Sequence, residues 1–273
     1  MAAALRRCHF CKGGFQMLFS SIPFLYYFLP AVMILYFLVP KFLKNTVLLV
    51  FSLIFYAWGE PVWVTLLIFS ATIDYFHGLI IEKHRNDIGA KLALISSLVL
   101  NLGLLGIFKY SGFFVENINA VTGLALPVPD FALPIGISFY TFQTLSYTID
   151  VYKGNVEPQH NYMKFFMYVS LYTQLVAGPI VRYQTIADQI QHRHESFEDF
   201  SEGVKRFIAG FSKKIILSNN MALIADAVFA TPDQERSIVY AWMGAIAYTF
   251  QIFFDFSGYS DMAIGLGKMF GFH

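Results

Sequence analysis

Two carboxylates and several hydroxyls interrupt otherwise apolar sequence in the stretch Gln251-Ile-Phe-Phe-Asp255-Phe-Ser257-Gly258-Tyr259-Ser260-Asp261. An ionised Asp at the centre of a bilayer costs about 2.5 to 3.5 kcal/mol on insertion scales, so such residues face a protein interior or a wet cavity and mark candidate sites. On a helix, Tyr248, Gln251, Asp255 and Tyr259 fall at i, i+3, i+7 and i+11 and form one polar stripe. Ser257 and Asp261, four apart, form a second. Stripes of this kind can line a passage for a polar substrate, and a desolvated Asp can orient or deprotonate a hydroxyl or an imidazole. They can equally form a structural hydrogen-bond network. The residues alone leave enzyme, transporter and scaffold open.

The surrounding chain must hold those acids in a membrane. Hydrophobic residues make up 56% of the sequence and charged residues only 14%, against about 25% charged in a soluble domain. The formal net charge of +1 excludes a broadly basic, nucleic-acid-binding surface. The composition implies an all-α, polytopic transmembrane helical bundle. Cys8 and Cys11 form a Cys-x-x-Cys pair, but with only His9 beside it the four ligands of a zinc site are missing. His192 and His194 sit in a polar loop without companions, so no metal is expected. Residues 1–16, with Arg6, Arg7 and Lys12, precede the long apolar run that starts near Met17 and read as a non-native or misassigned extension; 17–273 reads as one membrane domain.

Uncharged Leu18 to Pro40 is long enough for a first span, since crossing the hydrocarbon takes about 20 residues. Thr46 to Trp58 and Val62 to Ile81 predict a helical hairpin around Gly59-Glu60-Pro61, and Leu92 to Phe108 a fourth span. Basic residues follow spans one and three, which by the positive-inside rule makes those loops cytoplasmic and places Met17 outside. Polar residues then enter the spans Phe131 to Ile149, Asn161 to Val181 and Ile238 to Phe256. Tyr140, Gln143 and Tyr147 at i, i+3 and i+7 predict a helix with one polar face turned into the bundle, and Gln174 sits similarly in the next span. Interhelical hydrogen bonding would explain each of them singly. Ser196-Phe-Glu-Asp199 predicts a helix start, and the apolar and basic residues after it, Lys205, Arg206, Lys213 and Lys214 among them, predict an amphipathic helix at the cytoplasmic interface. His77, three residues after Asp74, reads as a packing pair.

Leu133-Pro-Ile-Gly-Ile-Ser-Phe-Tyr-Thr-Phe-Gln143, Gln174-Leu-Val-Ala-Gly-Pro-Ile180 and Gln251 through Gly267 together resemble the membrane-bound O-acyltransferase family, in its alginate O-acetyltransferase branch. Met17-Leu-Phe-Ser-Ser and Phe55-Tyr-Ala-Trp-Gly-Glu-Pro61 match the same branch, so the resemblance runs from Met17 to His273. It implies a multi-pass enzyme of the cell inner membrane that moves an acyl group, usually acetyl, from a cytoplasmic donor such as acetyl-CoA to hydroxyls of an exported polysaccharide such as alginate. A periplasmic acetyltransferase partner, a lipid surround and no tightly bound cofactor are implied with it. The family's histidine stands in an Arg-Trp-His segment that residues 1–273 do not contain. The expectation is therefore the front part of a longer enzyme, inactive as residues 1–273 alone. The family's upstream polar partner maps by spacing to Asp261 first and Asp255 second, with Tyr140, Gln143, Gln174, Gln251, Ser257 and Tyr259 lining a substrate tunnel. A D-alanyl transfer protein of teichoic acids, and a transporter or channel using Asp255 and Asp261, are the alternatives.

Overall fold

The computed structural model describes residues 17–129, 131, 133–175, 181–232 and 234–273. The expected extension 1–16, with Cys8, His9 and Cys11, and residues 176–180 of the Gln174 motif lie outside the described residues. Among the described residues every regular element is helical. Four helices are long and apolar enough to cross a membrane: Lys41–Gly59, Val64–Lys83, Ile88–Thr122 and Ile238–Met269. The protein is an all-α, polytopic membrane bundle.

In chain order the helices are α1 (Phe24–Leu38), α2 (Lys44–Gly59), α3 (Val64–Lys83), α4 (Ile88–Thr122), α5 (Ile137–Lys153), α6 (Tyr162–Ser170), α7 (Tyr172–Leu175), α8 (Tyr183–Gln191), α9 (Phe197–Ser212), α10 (Asn219–Ala230) and α11 (Ile238–Met269). The chain forms two units, one carried by Val32–Val176 and Ile180–Ile190, the other by Leu18–Ala31 and Gln191–His273.

In the first unit α2 and α3 make the expected hairpin. α4 continues past Phe108 through a π-helical turn, Gly106–Tyr110, to Thr122. Asp74, fully buried on α3, is held from α4 by Ser97 Oγ at 2.6 Å and by Asn101 Nδ2 at 3.0 and 2.8 Å from its two oxygens. Ser70 donates to Asn101 Oδ1 at 2.9 Å, and His77 Nδ1 lies 3.5 Å from Asp74. A buried carboxylate met by so many donors is how helices are tied together without water. The Asp74 and His77 spacing thus belongs to a larger network that the sequence did not reveal.

Within the expected span Asn161 to Val181 the described residues form two short helices, α6 and α7, broken at Leu171 (φ −56°, ψ 116°). Side chains replace the missing helical bond. Gln143 Nε2 donates to the Tyr168 carbonyl at 3.0 Å, and the Tyr172 amide donates to Ser52 Oγ at 3.1 Å. Irregular backbone at membrane depth is tolerated only when protein groups satisfy it in this way.

In the second unit Ser196 caps α9 by accepting from the Asp199 amide at 3.0 Å. α9 passes through a π-helical segment, Lys213–Ser218, into α10. Helix α11 runs unbroken from Ile238 to Met269, longer than the expected Ile238 to Phe256, and its start is capped by Ser237. α9 and α11 are antiparallel and meet glycine to glycine: a Cβ on Gly203 would stand 2.6 Å from the Gly265 carbonyl, and one on Gly210 would stand 2.5 Å from that of Gly258. No side chain fits between backbones that close.

Candidate active site

The first unit supplies a neutral, buried seam. Gly136, at φ +76°, reverses the chain into α5, a conformation glycine adopts without cost. The carbonyl of Ile135 beside it accepts from Tyr56 Oη at 2.9 Å, fixing the start of the helix to α2. Along the buried face of α5, Tyr140, Gln143 and Tyr147 stand in line as their spacing predicts. Gln143 Nε2 reaches Gln174 Oε1 at 3.3 Å as well as the Tyr168 carbonyl, so the two glutamines meet at the α6–α7 break. Tyr147 Oη accepts from the Gln159 amide at 3.1 Å, and Gln159 Nε2 donates to Tyr183 Oη at 3.0 Å. Burial pushes the Tyr183 phenol above its usual range. Tyr140 Oη is buried and has no hydrogen-bond partner among the described residues. An unsatisfied hydroxyl of that kind costs about 1 to 3 kcal/mol, which a ligand offering a polar atom would recover.

The second unit supplies the charges. Asp261, one-fifth exposed, accepts from Arg206 Nε at 3.1 Å and from Lys213 Nζ at 2.6 Å. Asp255 is paired with Lys214. The acids read from the sequence as bare are therefore ion-paired. The basic residues that their own spacing placed on an interfacial helix face are the partners. The π-helical segment turns the adjacent Lys213 and Lys214 toward carboxylates six residues apart on α11, and local π geometry of this sort is common at functional positions. Both oxygens of Asp261 are engaged; to accept a proton, it must first give up one of these contacts.

The remaining sequence-predicted residues lie on α11. The Gln251 carbonyl accepts from Ser218 Oγ at 3.1 Å, while Gln251 Oε1 and Ser257 Oγ are buried without partners among the described residues. The Tyr259 ring stacks on Phe19 with centroids 4.6 Å apart. The structure thus brings Gln143 to Gln174 within the first unit. Within the second it gathers Asp255 and Asp261 with three cations. No cluster of three or more His, Cys, Asp or Glu side chains suited to a metal occurs among the described residues. Sequence reasoning missed the cation partners and the helix break. The first were visible as four basic residues one helical face away from an acid-bearing helix, and the second had no local signal, because Ser52 and Gln143 create it from elsewhere in the chain.

Residues 156–273 match the profile of MBOAT, the membrane-bound O-acyltransferase family. The chain is 42% identical over 261 residues to the probable alginate O-acetylase AlgI of Pseudomonas aeruginosa, covering 94% of this chain and 50% of that protein. It is 32% identical over 288 residues to the peptidoglycan O-acetyltransferase of Helicobacter pylori, covering 94% of this chain and 54% of that one. A weaker likeness, 25% over 153 residues, covering half of this chain and 34% of the other, is to the teichoic acid D-alanyltransferase of Streptococcus thermophilus. The chain spans about half the length of the curated O-acetylating relatives it matches. Residues 156–273 thus carry the domain of the membrane-bound O-acyltransferase family, and O-acetylating relatives match 94% of the chain.

Proposed function

We propose that the protein carrying this chain is a membrane O-acyltransferase that moves an acetyl group from a cytoplasmic donor to hydroxyls of an exported polysaccharide, with alginate the leading acceptor. The observation that carries the reading is the 42% identity to an alginate O-acetylase over 94% of the chain. The buried seam of Gln143, Gln174 and Tyr140 supports it, because neutral, desolvated donors and acceptors suit an uncharged thioester and a sugar hydroxyl better than they suit an ion. The ion pairs on Asp255 and Asp261 argue against a cation channel built on those acids.

In acyl transfer the acceptor oxygen forms a bond to the acyl carbonyl carbon, the bond to the donor's sulfur breaks, and the acceptor's proton ends on the departing thiolate, directly or through a base. Gln143, Gln174 and Tyr140 are proposed to bind and orient the reactants. Asp261, tied to Arg206 and Lys213, is proposed to hold α11 and α9 in register; Asp255 with Lys214 does the same six residues away. Gln251, Ser257 and Tyr259 are proposed as substrate-tunnel residues of α11. Acetyl-CoA is the proposed donor, the inner membrane the proposed location, and a periplasmic acetyltransferase the proposed partner that completes delivery.

The test is deletion of the gene, followed by measurement of ester-linked acetate on the exported polysaccharide and complementation with the full coding sequence. Loss of acetate on deletion and its return on complementation support the reading. Unchanged acetate sinks it, and loss of D-alanine ester from teichoic acid in its place moves the assignment to that chemistry, toward which the weaker relative points.

A further inference from the structure

The polar face of α5 does not end at Tyr147. Three residues on, Asp150 continues it, so Tyr140, Gln143, Tyr147 and Asp150 stand at i, i+3, i+7 and i+10. The Asp150 side chain is more than nine-tenths buried, at 7% exposure. Its Oδ1 accepts from Asn155 Nδ2 at 3.1 Å, and its carbonyl accepts from the Asn155 amide at 2.9 Å. That local link closes the turn after α5 and accounts for one oxygen. Oδ2 is buried and accepts no hydrogen bond. Tyr168, close enough to feel the Asp150 charge, gives its hydroxyl to the Val181 carbonyl at 2.9 Å instead.

Burial and helix position both oppose an unpaired anion at this position. A buried carboxylate oxygen without a donor is costly. Asp150 also lies in the last turn of α5, which ends at Lys153, where the helix dipole presents its negative end. Folding gains nothing from Oδ2. Tyr140 Oη, about 15 Å away along the same helix face by the rise per residue, is the other buried oxygen of the line without a partner.

We propose that Asp150 is a substrate-binding residue, its Oδ2 accepting a hydrogen bond from a neutral donor group of a reactant and extending the Gln143–Gln174 seam by about two helical turns. The donor group is a sugar hydroxyl of the acceptor or an amide N–H on the arm of the acyl thioester. The inference rests on the acyl-transfer reading above and adds to it a residue and the chemistry that residue recognises.

The deciding variant is Asp150→Asn, placed in the full coding sequence and expressed in the gene-deleted strain. The amide keeps an oxygen for Asn155 but replaces the Oδ2 acceptor with a donor. We expect it to reach the membrane at the wild-type level, to melt in detergent at or above the wild-type temperature because an unpaired buried anion is gone, and to lower polysaccharide acetate at least tenfold. Full acetylation in Asp150→Asn overturns the proposal, and so does joint loss of stability and acetate, which would assign the residue to folding. Asn155→Ala guards against ambiguity by removing the local link while leaving Oδ2. It should keep most of the acetylation, and a loss as deep as that of Asp150→Asn makes the turn, not the ligand, the reason for the acid. If wild type itself restores no acetate, the acyl-transfer reading falls and the assignment falls with it. That result is distinct from a wild type that works and an Asp150→Asn that works equally. Membranes supplied with radiolabelled acetyl-CoA separate the two sources: lost donor turnover in Asp150→Asn places the contact on the thioester arm, and intact turnover without labelled polymer places it on the sugar.

Discussion

The α5 seam and the α11 acids are both polar intrusions into apolar sequence, yet they are built on opposite terms. At Tyr140, Gln143 and Gln174 the seam is neutral, almost wholly buried and incompletely bonded, with Tyr140 Oη left over. On α11 the acids are ion-paired and partly exposed, Asp261 through both oxygens with Arg206 and Lys213 and Asp255 through one with Lys214. Unused bonding capacity in a dry place is what a ligand can exploit, whereas a completed ion pair is what a helix hairpin needs to stay in register. The more conspicuous residues in the sequence are thus the better-satisfied ones in the structure. Substitutions in the α11 hairpin should therefore cost stability first, and substitutions in the seam should cost activity first.

The largest effect should come from Gly210→Val. A Cβ there already meets the Gly258 carbonyl at 2.5 Å and the Met262 amide at 2.7 Å, both backbone atoms with no rotamer to move. Overpacking of a tight site costs about 1 to 3 kcal/mol and occasionally more, and here the strain is repeated along the antiparallel contact. The expected outcome is a collapse of folded protein in the membrane fraction, read by fluorescence-detected gel filtration. A variant that stays folded and active would show that the charged hairpin tolerates separation and is not the rigid half of the comparison.

Gln143→Leu comes next and tests the other half. It leaves the buried Tyr168 carbonyl without its donor, at about 1 to 3 kcal/mol, and removes the contact to Gln174. We expect a lowered melting temperature and a loss of polysaccharide acetate larger than the stability change explains. Gln143→Glu, which fits the space but cannot donate to the carbonyl when ionised, should be no better. Equal retention of acetate in both variants would reduce the seam to packing.

How much of this was legible beforehand follows from where each signal is stored. The α2–α3 hairpin, the Ser196 cap and the line of Tyr140, Gln143 and Tyr147 are encoded by neighbours within a helical turn or two, so periodicity and capping rules found them. The break at Leu171 is imposed by Ser52, 120 residues from the amide it accepts, and a window along the chain sees only continuous apolar sequence there. The Asp261 clamp was missed for a related reason. Arg206 on α9 and Lys213 at the start of the π-helical segment are seven apart, a pattern that an interfacial helix and an ion-pair partner share, and only the glycine-to-glycine approach of α11 decides between them.

Asp261→Asn separates stability from chemistry within the charged half. Removing the anion from between Arg206 and Lys213 would cost about 3 to 5 kcal/mol in a wholly buried pair, but Asp261 is one-fifth exposed and both cations reach solvent, so about 1 kcal/mol is expected here, consistent with partly screened pairs. The measurement is the melting temperature in detergent beside acetate on the polymer. Unchanged stability with abolished acetate would move Asp261 from holding the hairpin to taking part in the reaction.

The smallest effect should come from the edge of the same hairpin, where Lys268 Nζ lies 2.7 Å from Glu202 Oε2. The hydrogen bond from Lys268, and then its charge, hold the Glu202 carboxyl below its ordinary value. A depressed carboxylate stabilises the fold at pH values above its ordinary titration range, and that contribution is lost as acid titrates it through the lowered folded value. Glu202 is exposed, so the contribution is small and salt screens it. Lys268→Ala should therefore lower the melting temperature slightly at neutral pH, with the gap to wild type closing below about pH 4, where carboxylates take up protons, and narrowing at high salt. A gap that persists in acid would mean that the Lys268 stem matters more than its charge, and the charged half of the molecule would then owe part of its stability to apolar contact and not to ion pairing alone.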